Sequence, residues 1–340
     1  MSGLIIFTGA NSSMGIPAAK HLLEQYPGHT VVFTVRDASN TDVNTNKLRD
    51  VIAEHQSAGT NASILPLDLA SLSATHKFAA TIAAGVQSGL YPQLVAIVCN
   101  AYYWNLVSDP ELTEDGFDKT FQVSHISHAT LVLRLLGSFN DAGGRVILIS
   151  SDSHWPGKNA MEKYPPAIPE NLDLLVKPTA DYDKQGRGYQ RYATSKLAIT
   201  AWMYALNRYL EKDARLSKVT AMAVNPGNMV DSRALRTNTP LSLHYMQMLV
   251  YKPLLPLLRL VMGPTLRTTV PAGKDTVELA LSPEYAGKRG FFTLLTKDES
   301  SPDSQNEDLQ SRLWAQTLVW GNIGKETTAL QGVPGERSHS

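Results

Sequence analysis

Short apolar runs alternate with longer mixed stretches along the 340-residue chain. The runs Leu4–Phe7, Val31–Val35, Ser63–Pro66, Leu94–Cys99, Arg145–Ser150 and Thr220–Val224 read as strands, with Phe291–Leu295 as a seventh. Between them, Ile16–Tyr26, Thr41–Gln56, Ser71–Ser88 and Thr113–Phe139 are long enough for helices. Strands that are apolar throughout have both faces covered, as in a parallel sheet flanked by helices. The pattern predicts an α/β fold with a doubly wound parallel sheet, in a single domain over residues 1–324. Ligands of such sheets bind beyond the strand C-termini, near the point where the strand order reverses.

Two segments interrupt this alternation. Residues 152–191 are rich in Pro and Gly, and residues 228–275 carry the most apolar stretch, "LSLHYMQMLVYKPLLPLLRLVM" at 241–262. Both follow strands, so both are expected at the ligand-binding edge. His244, Lys252, Arg259 and two prolines break the apolar stretch, which argues against a transmembrane span. It reads as a cover over a pocket, with contact to a membrane surface left open. Residues 325–340 are small and polar and are expected to fray.

Charge and cysteine content narrow the function. Thirty-one basic and 31 acidic residues leave no net charge, which excludes nucleic-acid binding by bulk electrostatics. A lone cysteine, Cys99, excludes an intrachain disulfide and any Cys-rich zinc site. That fits a reducing, cytoplasmic setting, as does an N-terminus without a basic, signal-like region. His125 and His128 sit three apart without further ligands nearby, so no metal is expected.

The loop "TGANSSMGIPAAK", residues 8–20, lies between a strand and a helix. Helix N-terminal amides point outward and attract an anion. Gly9 suits a sharp exit from the strand, and Gly15 suits close packing of the helix. The hydroxyls of Ser12 and Ser13 are candidate donors to phosphate oxygens, with Met14 in the same turn. The strict G-x-G-x-x-G spacing is absent, so the loop alone is ambiguous. NAD-binding folds place an acidic residue about 20 residues further on. Here Val35 and Arg36 stand there, followed by Asp37. A guanidinium in place of a carboxylate favours a 2′-phosphate, hence NADP(H).

Further along, "YATSK" puts Tyr192 and Lys196 four apart, on one face of a helix. An ammonium beside a phenol favours the phenolate, and Tyr192 is then a candidate proton donor and acceptor. "RVILISSDS" ends a strand in paired serines, with Ser151 a candidate for orienting a substrate oxygen.

In this order the motifs resemble the short-chain dehydrogenase/reductase family, over roughly residues 3–230. "TGANSSMG" is similar to its Thr-Gly-x-x-x-Gly-x-Gly loop, with Ser13 at the middle glycine. "LDLASL" resembles its Asp-Leu element, which implies that Asp68 and Leu69 lie near the adenine. "CNAY" resembles its Asn-Asn-Ala-Gly turn through Asn100, with Cys99 and Tyr102 as departures. "NPG" resembles its turn beside the nicotinamide through Pro226 and Gly227. The stretch "TEDGFDKTFQVSHISHATLVLRLL" is similar to the subgroup of retinol dehydrogenases, WW-domain oxidoreductase and protochlorophyllide reductase.

The resemblance implies a Rossmann-like fold and an NADP(H)-dependent oxidoreductase. Tyr192 would be the general acid in reduction. Lys196 would lower its pKa and hold the nicotinamide ribose, and Ser151 would polarise the substrate carbonyl. Ser124 takes the place of an asparagine that supports a proton-relay water. Ser151 and Tyr192 are 41 residues apart, more than the plain family pattern, so the intervening segment is expected to form a flap. His154, Trp155, Tyr164 and Tyr189 are its candidate pocket residues. With 240–262 it suggests a large apolar pocket for lipophilic ketones, aldehydes or alcohols. Two other readings stay open: a nucleotide-bound sensor or scaffold, and an enzyme of this fold that reduces double bonds or cyclises. Homo-oligomer formation is also left open.

Overall fold

The computed structural model describes residues 2–55 and 61–331. The framework runs β1 (Leu4–Thr8), α1 (Gly15–Gln25), β2 (Thr30–Val35), α2 (Val43–Glu54), β3 (Asn61–Pro66), α3 (Leu72–Gln87) and β4 (Leu94–Cys99). Then come a short α4 (Lys119–Phe121), a π-helical turn at Gln122–Ile126, α5 (Ser127–Leu135), β5 (Gly144–Ile149), α6 (Asp173–Val176), α7 (Lys184–Lys212) and β6 (Val219–Asn225). The later part holds β7 (Asn228–Met229), α8 (Leu241–Met246), α9 (Leu255–Met262), β8 (Leu266–Arg267) and α10 (Thr269–Leu281). It ends with β9 (Gly290–Thr293), β10 (Thr296–Lys297), α11 (Pro302–Gln305) and α12 (Glu307–Trp320).

Eight strands form one sheet in the order β10-β9-β6-β5-β4-β1-β2-β3. All pairs are parallel except the terminal β9–β10 hairpin. The order reverses between β1 and β4, which is where a doubly wound sheet opens its ligand crevice. This is the Rossmann-like fold expected from the sequence. The seven expected strands fall within two residues of the observed ones. The reason is physical: β1, β4 and β6 are buried on both faces, so every position must be apolar or satisfied.

Helices cover both faces. On one, α3, α5, α7 and α12 share a core with the sheet, and Trp314 of α12 stacks on Trp202 and Tyr209 of α7 with ring centroids 5.7 and 4.4 Å apart. On the other, α1 and α10 cross so closely that a Cβ on Gly273 would sit 2.7 Å from the Ala18 amide nitrogen and 2.8 Å from the Met14 carbonyl oxygen. The start of α1 is therefore held from behind.

Two expectations need correction. The helix expected from Thr113 starts at Lys119, because Asp118 caps it by accepting from the Phe121 amide at 2.9 Å. Residues 113–117 form a turn with Gly116 at φ 76°. The expected free tail from 325 is held as far as 331. Thr328 donates to the Leu133 carbonyl at 2.6 Å, Leu330 is buried, and the Gln331 amide bonds Asp213. Residues 332–340 of that tail, and Gln56 of the second expected helix, lie outside the described residues. Among the described residues no helix is long and apolar enough to cross a membrane.

Candidate active site

The loop after β1 is shaped by two glycines. Gly9 has φ 63°, a conformation that side chains disfavour, and a Cβ there would press on Ala101 at 3.0 Å. A Cβ on Gly15 would lie 2.5 Å from the Ala10 carbonyl oxygen, so only glycine lets α1 start this close to the strand. Ser12 Oγ accepts from the Gly15 amide at 2.9 Å and from the Asn100 side-chain amide at 3.2 Å. Ser13 Oγ accepts from the backbone N–H of Arg233 at 3.0 Å and from its Nε at 3.1 Å. A hydroxyl has two lone pairs and one proton. With both lone pairs used, each serine has its proton left to donate outward. The amides of Ser13 and Met14 have no acceptor among the described residues. Outward hydroxyls and unclaimed helix-start amides fit the pyrophosphate of a dinucleotide. Met14 turns its side chain inward onto Thr276, so it offers only backbone.

Thr8 clamps this loop to the end of β4. Its Oγ1 accepts from the amides of Asn100 at 2.9 Å and Ala101 at 3.1 Å. Asn100 Nδ2 donates to the carbonyls of Thr8 and Gly9, both at 2.9 Å. His128 Nε2 lies 3.0 Å from Thr8 Oγ1, and its other nitrogen bonds the Ser124 carbonyl. With both Thr8 lone pairs taken by amides, its one proton lies between His128 Nε2 and the Val98 carbonyl at 3.3 Å, which leaves His128 neutral and donating from Nδ1 to Ser124. Burial drives its pKa down to about 3, which keeps it neutral. Ser124 lies on the π-helical turn, with its hydroxyl buried and unpartnered. One lone pair of its carbonyl is thus taken by a side chain. His125 is also buried; its Nε2 lies 2.9 Å from Thr317 Oγ1. No cluster of metal-binding side chains occurs among the described residues.

Ser151, Tyr192 and Lys196 converge from β5 and α7. Ser151 Oγ donates to Asp152 Oδ1 at 3.0 Å, accepts from the Ser153 amide at 3.2 Å, and faces the Tyr192 phenol. Its partner Ser150 is structural, 2.7 Å from Thr200 Oγ1. Lys196 is buried and donates to the Ile149 carbonyl at 2.8 Å, and burial brings its pKa down to about 7. Its ammonium lies 5.5 Å from the ring centres of both Tyr192 and Tyr102. The expected lowering of the Tyr192 pKa is not what the chain's own groups produce. Burial pushes it well up, with Tyr102 and Asp152 acting the same way and only the Ser151 hydrogen bond opposing. Lys196 does not offset this, and its ammonium bonds the Ile149 carbonyl.

An aromatic wall encloses Tyr192. Trp104, Tyr102 and Tyr189 stand with ring centres 5.3, 5.8 and 6.0 Å away. Leu243 of α8 and the part-buried Met161 and Leu235 complete the cluster. Tyr189 is the expected pocket residue that reaches it. His154 does not: it bridges the Ser151 carbonyl (2.6 Å) to the Ser301 amide (3.0 Å), so it positions Ser151. Trp155 packs under Lys158, and Tyr164 under Arg187, out on the flap. Residues 228–275 lie over this apolar cluster as a lid, through Leu235 and Leu243. Asn238 takes the Leu106 amide at 2.8 Å, and Trp104 Nε1 donates to the Thr237 carbonyl at 3.3 Å.

The other expected contacts lie along the same edge. Pro226 is buried and Gly227 has φ 86°; a Cβ there would meet the Thr265 carbonyl at 2.4 Å. Arg36 is exposed beyond β2. Asp68 is exposed and accepts from the Ala70 amide at 2.9 Å, and Leu69 is buried. Sequence reasoning missed Thr8, Trp104, Asp152 and Arg233. Thr8 lay inside the quoted loop, and Asp152 inside the quoted strand end. No local pattern connects Arg233 with Ser13, 220 residues away. A cleft of about 390 Å³ at the opposite end of the sheet, between Tyr26, Arg145 and Lys218, holds none of these residues.

Comparison with known proteins agrees with this architecture. Residues 4–165 match the family model for short chain dehydrogenase, and residues 233–330 match the AcuH dehydrogenase domain. The chain is 26% identical to the short-chain dehydrogenase iccH of Talaromyces variabilis, over 97% of this chain and 98% of that one. It is 28% identical to retinol dehydrogenase 14 of Mus musculus, over 91% of this chain and 83% of that one. A short chain dehydrogenase from Burkholderia cenocepacia J2315, solved in complex with NADP, superposes with a TM-score of 0.57 at 20% identity. That match covers 85% of this chain and 95% of the other. Fold and likeness together define a nicotinamide-dependent oxidoreductase. The chain carries the short chain dehydrogenase model over residues 4–165 and is similar along nearly its whole length to members of the short-chain dehydrogenase/reductase family.

The Arg233–Ser13 contact joins the lid to the cofactor loop. Arg233→Ala should weaken NADPH binding about tenfold or more, and Ser13→Ala by less, since a hydrogen bond from a charged group contributes about 1.5–3 kcal/mol. The double variant should lose less than the sum of the two, since the side-chain contact from Arg233 Nε to Ser13 Oγ is removed by either change. Fluorescence titration with NADPH checks this, and strictly additive losses would contradict a shared contact. A second expectation concerns Asp152. Its negative charge disfavours the phenolate, so Asp152→Asn should lower the Tyr192 pKa. Reduction needs the protonated phenol, so the alkaline limb of kcat/KM should move to lower pH. An unmoved or upward-shifted limb would show that Asp152 does not act on Tyr192.

Proposed function

We propose that the chain is an NADP(H)-dependent reductase of lipophilic ketones or aldehydes, with Tyr192 as general acid. The observation that carries this reading is the Tyr192 phenol held beside the Ser151 hydroxyl, over Lys196 and inside an aromatic wall. Bound NADPH supplies the hydride. The chain's own residues do the rest. Ser151 orients the carbonyl oxygen, and Tyr192 gives it a proton as the alcohol forms. Lys196 holds positive charge beneath the ring as the phenol loses that proton. Arg36, exposed where an NAD enzyme carries a carboxylate, supports a 2′-phosphate. Asn100, Gly9, Gly15, Pro226 and Gly227 shape the cofactor cleft, and Asp68 and Leu69 border the adenine end. Trp104, Tyr189 and Leu243 favour an apolar substrate over a sugar. The enzyme would work in the cytoplasm.

A second reading, a nucleotide-bound scaffold, draws on the Lys196–Ile149 bond and the raised Tyr192 pKa. It predicts tight NADPH binding without turnover of any carbonyl. Reduction of a double bond, or a cyclisation, would be recognised by mass and NMR analysis of the product. The reductase reading is tested by Tyr192→Phe. Turnover should fall about 10²–10⁴-fold, the usual contribution of a general acid, while NADPH affinity is kept. Undiminished turnover would overturn the assignment.

A further inference from the structure

The segment over the active-site mouth is built inside out. In α8, the following π-turn at Gln247–Tyr251, and α9, only Leu243 and the polar Gln247 are buried, and most of the other apolar side chains face solvent. Gln247 is fully buried, donating to the carbonyls of Val230 at 2.9 Å and Ser232 at 2.7 Å. Meanwhile Leu249 is 69% exposed, Leu257 60%, Leu260 83% and Val261 84%. No side chain of α9 is buried. A contiguous exposed apolar surface of this kind marks an interaction site.

The charge around it is one-sided. From Ser232 to Lys274 the sequence has six Lys or Arg residues and no Asp or Glu, in a chain whose net charge is zero. Arg236, Lys252, Arg259 and Lys274 are exposed. Arg267 is the member of this group that pairs with a carboxylate, Asp275, at 2.7 Å. A symmetric contact with a second copy would bring this basic surface against itself, so it opposes self-association. An apolar helix face with an acid-free basic rim matches an anionic lipid surface instead.

We infer that α8 and α9 form an interfacial anchor that seats this protein on anionic membranes, with the mouth of the aromatic pocket turned to the lipid. The anchor is continuous with the pocket, since Leu243 of α8 packs in the cluster with Trp104 and Tyr189. A lipophilic substrate would then arrive from the bilayer. That last step rests on the reductase reading; the membrane contact does not.

Flotation of the full-length protein with vesicles tests it, using phosphatidylcholine alone and phosphatidylcholine mixed with phosphatidylserine. The wild type should float with the anionic vesicles and much less with the neutral ones. K252E/R259E should bind the anionic vesicles at least about twentyfold more weakly. L257E/L260E should lose both kinds of binding while keeping the wild-type melting temperature and NADPH affinity, since both leucines are exposed. Failure of the wild type to float overturns the anchor. So does a finding by sedimentation that the wild type dimerises and L257E/L260E does not, for the face would then belong to a second copy. Either result leaves NADPH binding and turnover in free solution untouched, so the anchor and the reductase reading fail separately.

Discussion

The structure depends on how the ends of β1 and β4 are held at the point where the sheet order reverses. There two parallel strands must part so that a ligand can enter, and parting leaves backbone groups without ladder partners. Thr8 and Asn100 supply them. The threonine hydroxyl takes two amides of β4's exit, the asparagine amide takes two carbonyls of β1's exit, and His128 fixes the threonine from behind. The crevice is open because its rims are hydrogen-bonded to each other. The phosphate loop above it inherits that rigidity through Ser12.

The same economy recurs where Ser151, Tyr192 and Lys196 meet. Ser151 is positioned by His154 through its carbonyl and by Asp152 and the Ser153 amide through its hydroxyl. Asp152 also takes Asn228 at 3.0 Å and Asn159 at 2.9 Å, tying the turn after β6 and the flap to the serine. Lys196 is buried and Tyr192 part-buried beside it, with few polar partners, and each is pushed toward its neutral form.

Much of this was legible in the sequence. Strands buried on both faces have no freedom in their composition, so β1, β4 and β6 announce themselves. The family resemblance placed Asn100 and Gly227, and strand ends border the crevice, so Ser151 could be placed there as soon as the strands were. Two kinds of feature could not. Contacts between distant segments leave no local pattern: Arg233 on Ser13 and His128 on Thr8 exist only after folding. The lid also defeats the usual rule that apolar means inside. Its leucines read as pocket cover, yet most of those in α8 and α9 face solvent while Gln247 is buried. Asp118, by contrast, was visible as a helix cap, and noticing it would have placed the start of α4 correctly.

The most direct measurement is a crystal structure of the protein with NADPH. The account predicts the pyrophosphate on Ser12, Ser13 and the amides that start α1, the 2′-phosphate beside Arg36, and the nicotinamide between Gly227 and the Tyr192–Lys196 pair, with Ser151 facing the same side. A dinucleotide bound elsewhere, such as in the cleft by Arg145 and Lys218, or a nicotinamide turned away from Tyr192, would contradict it.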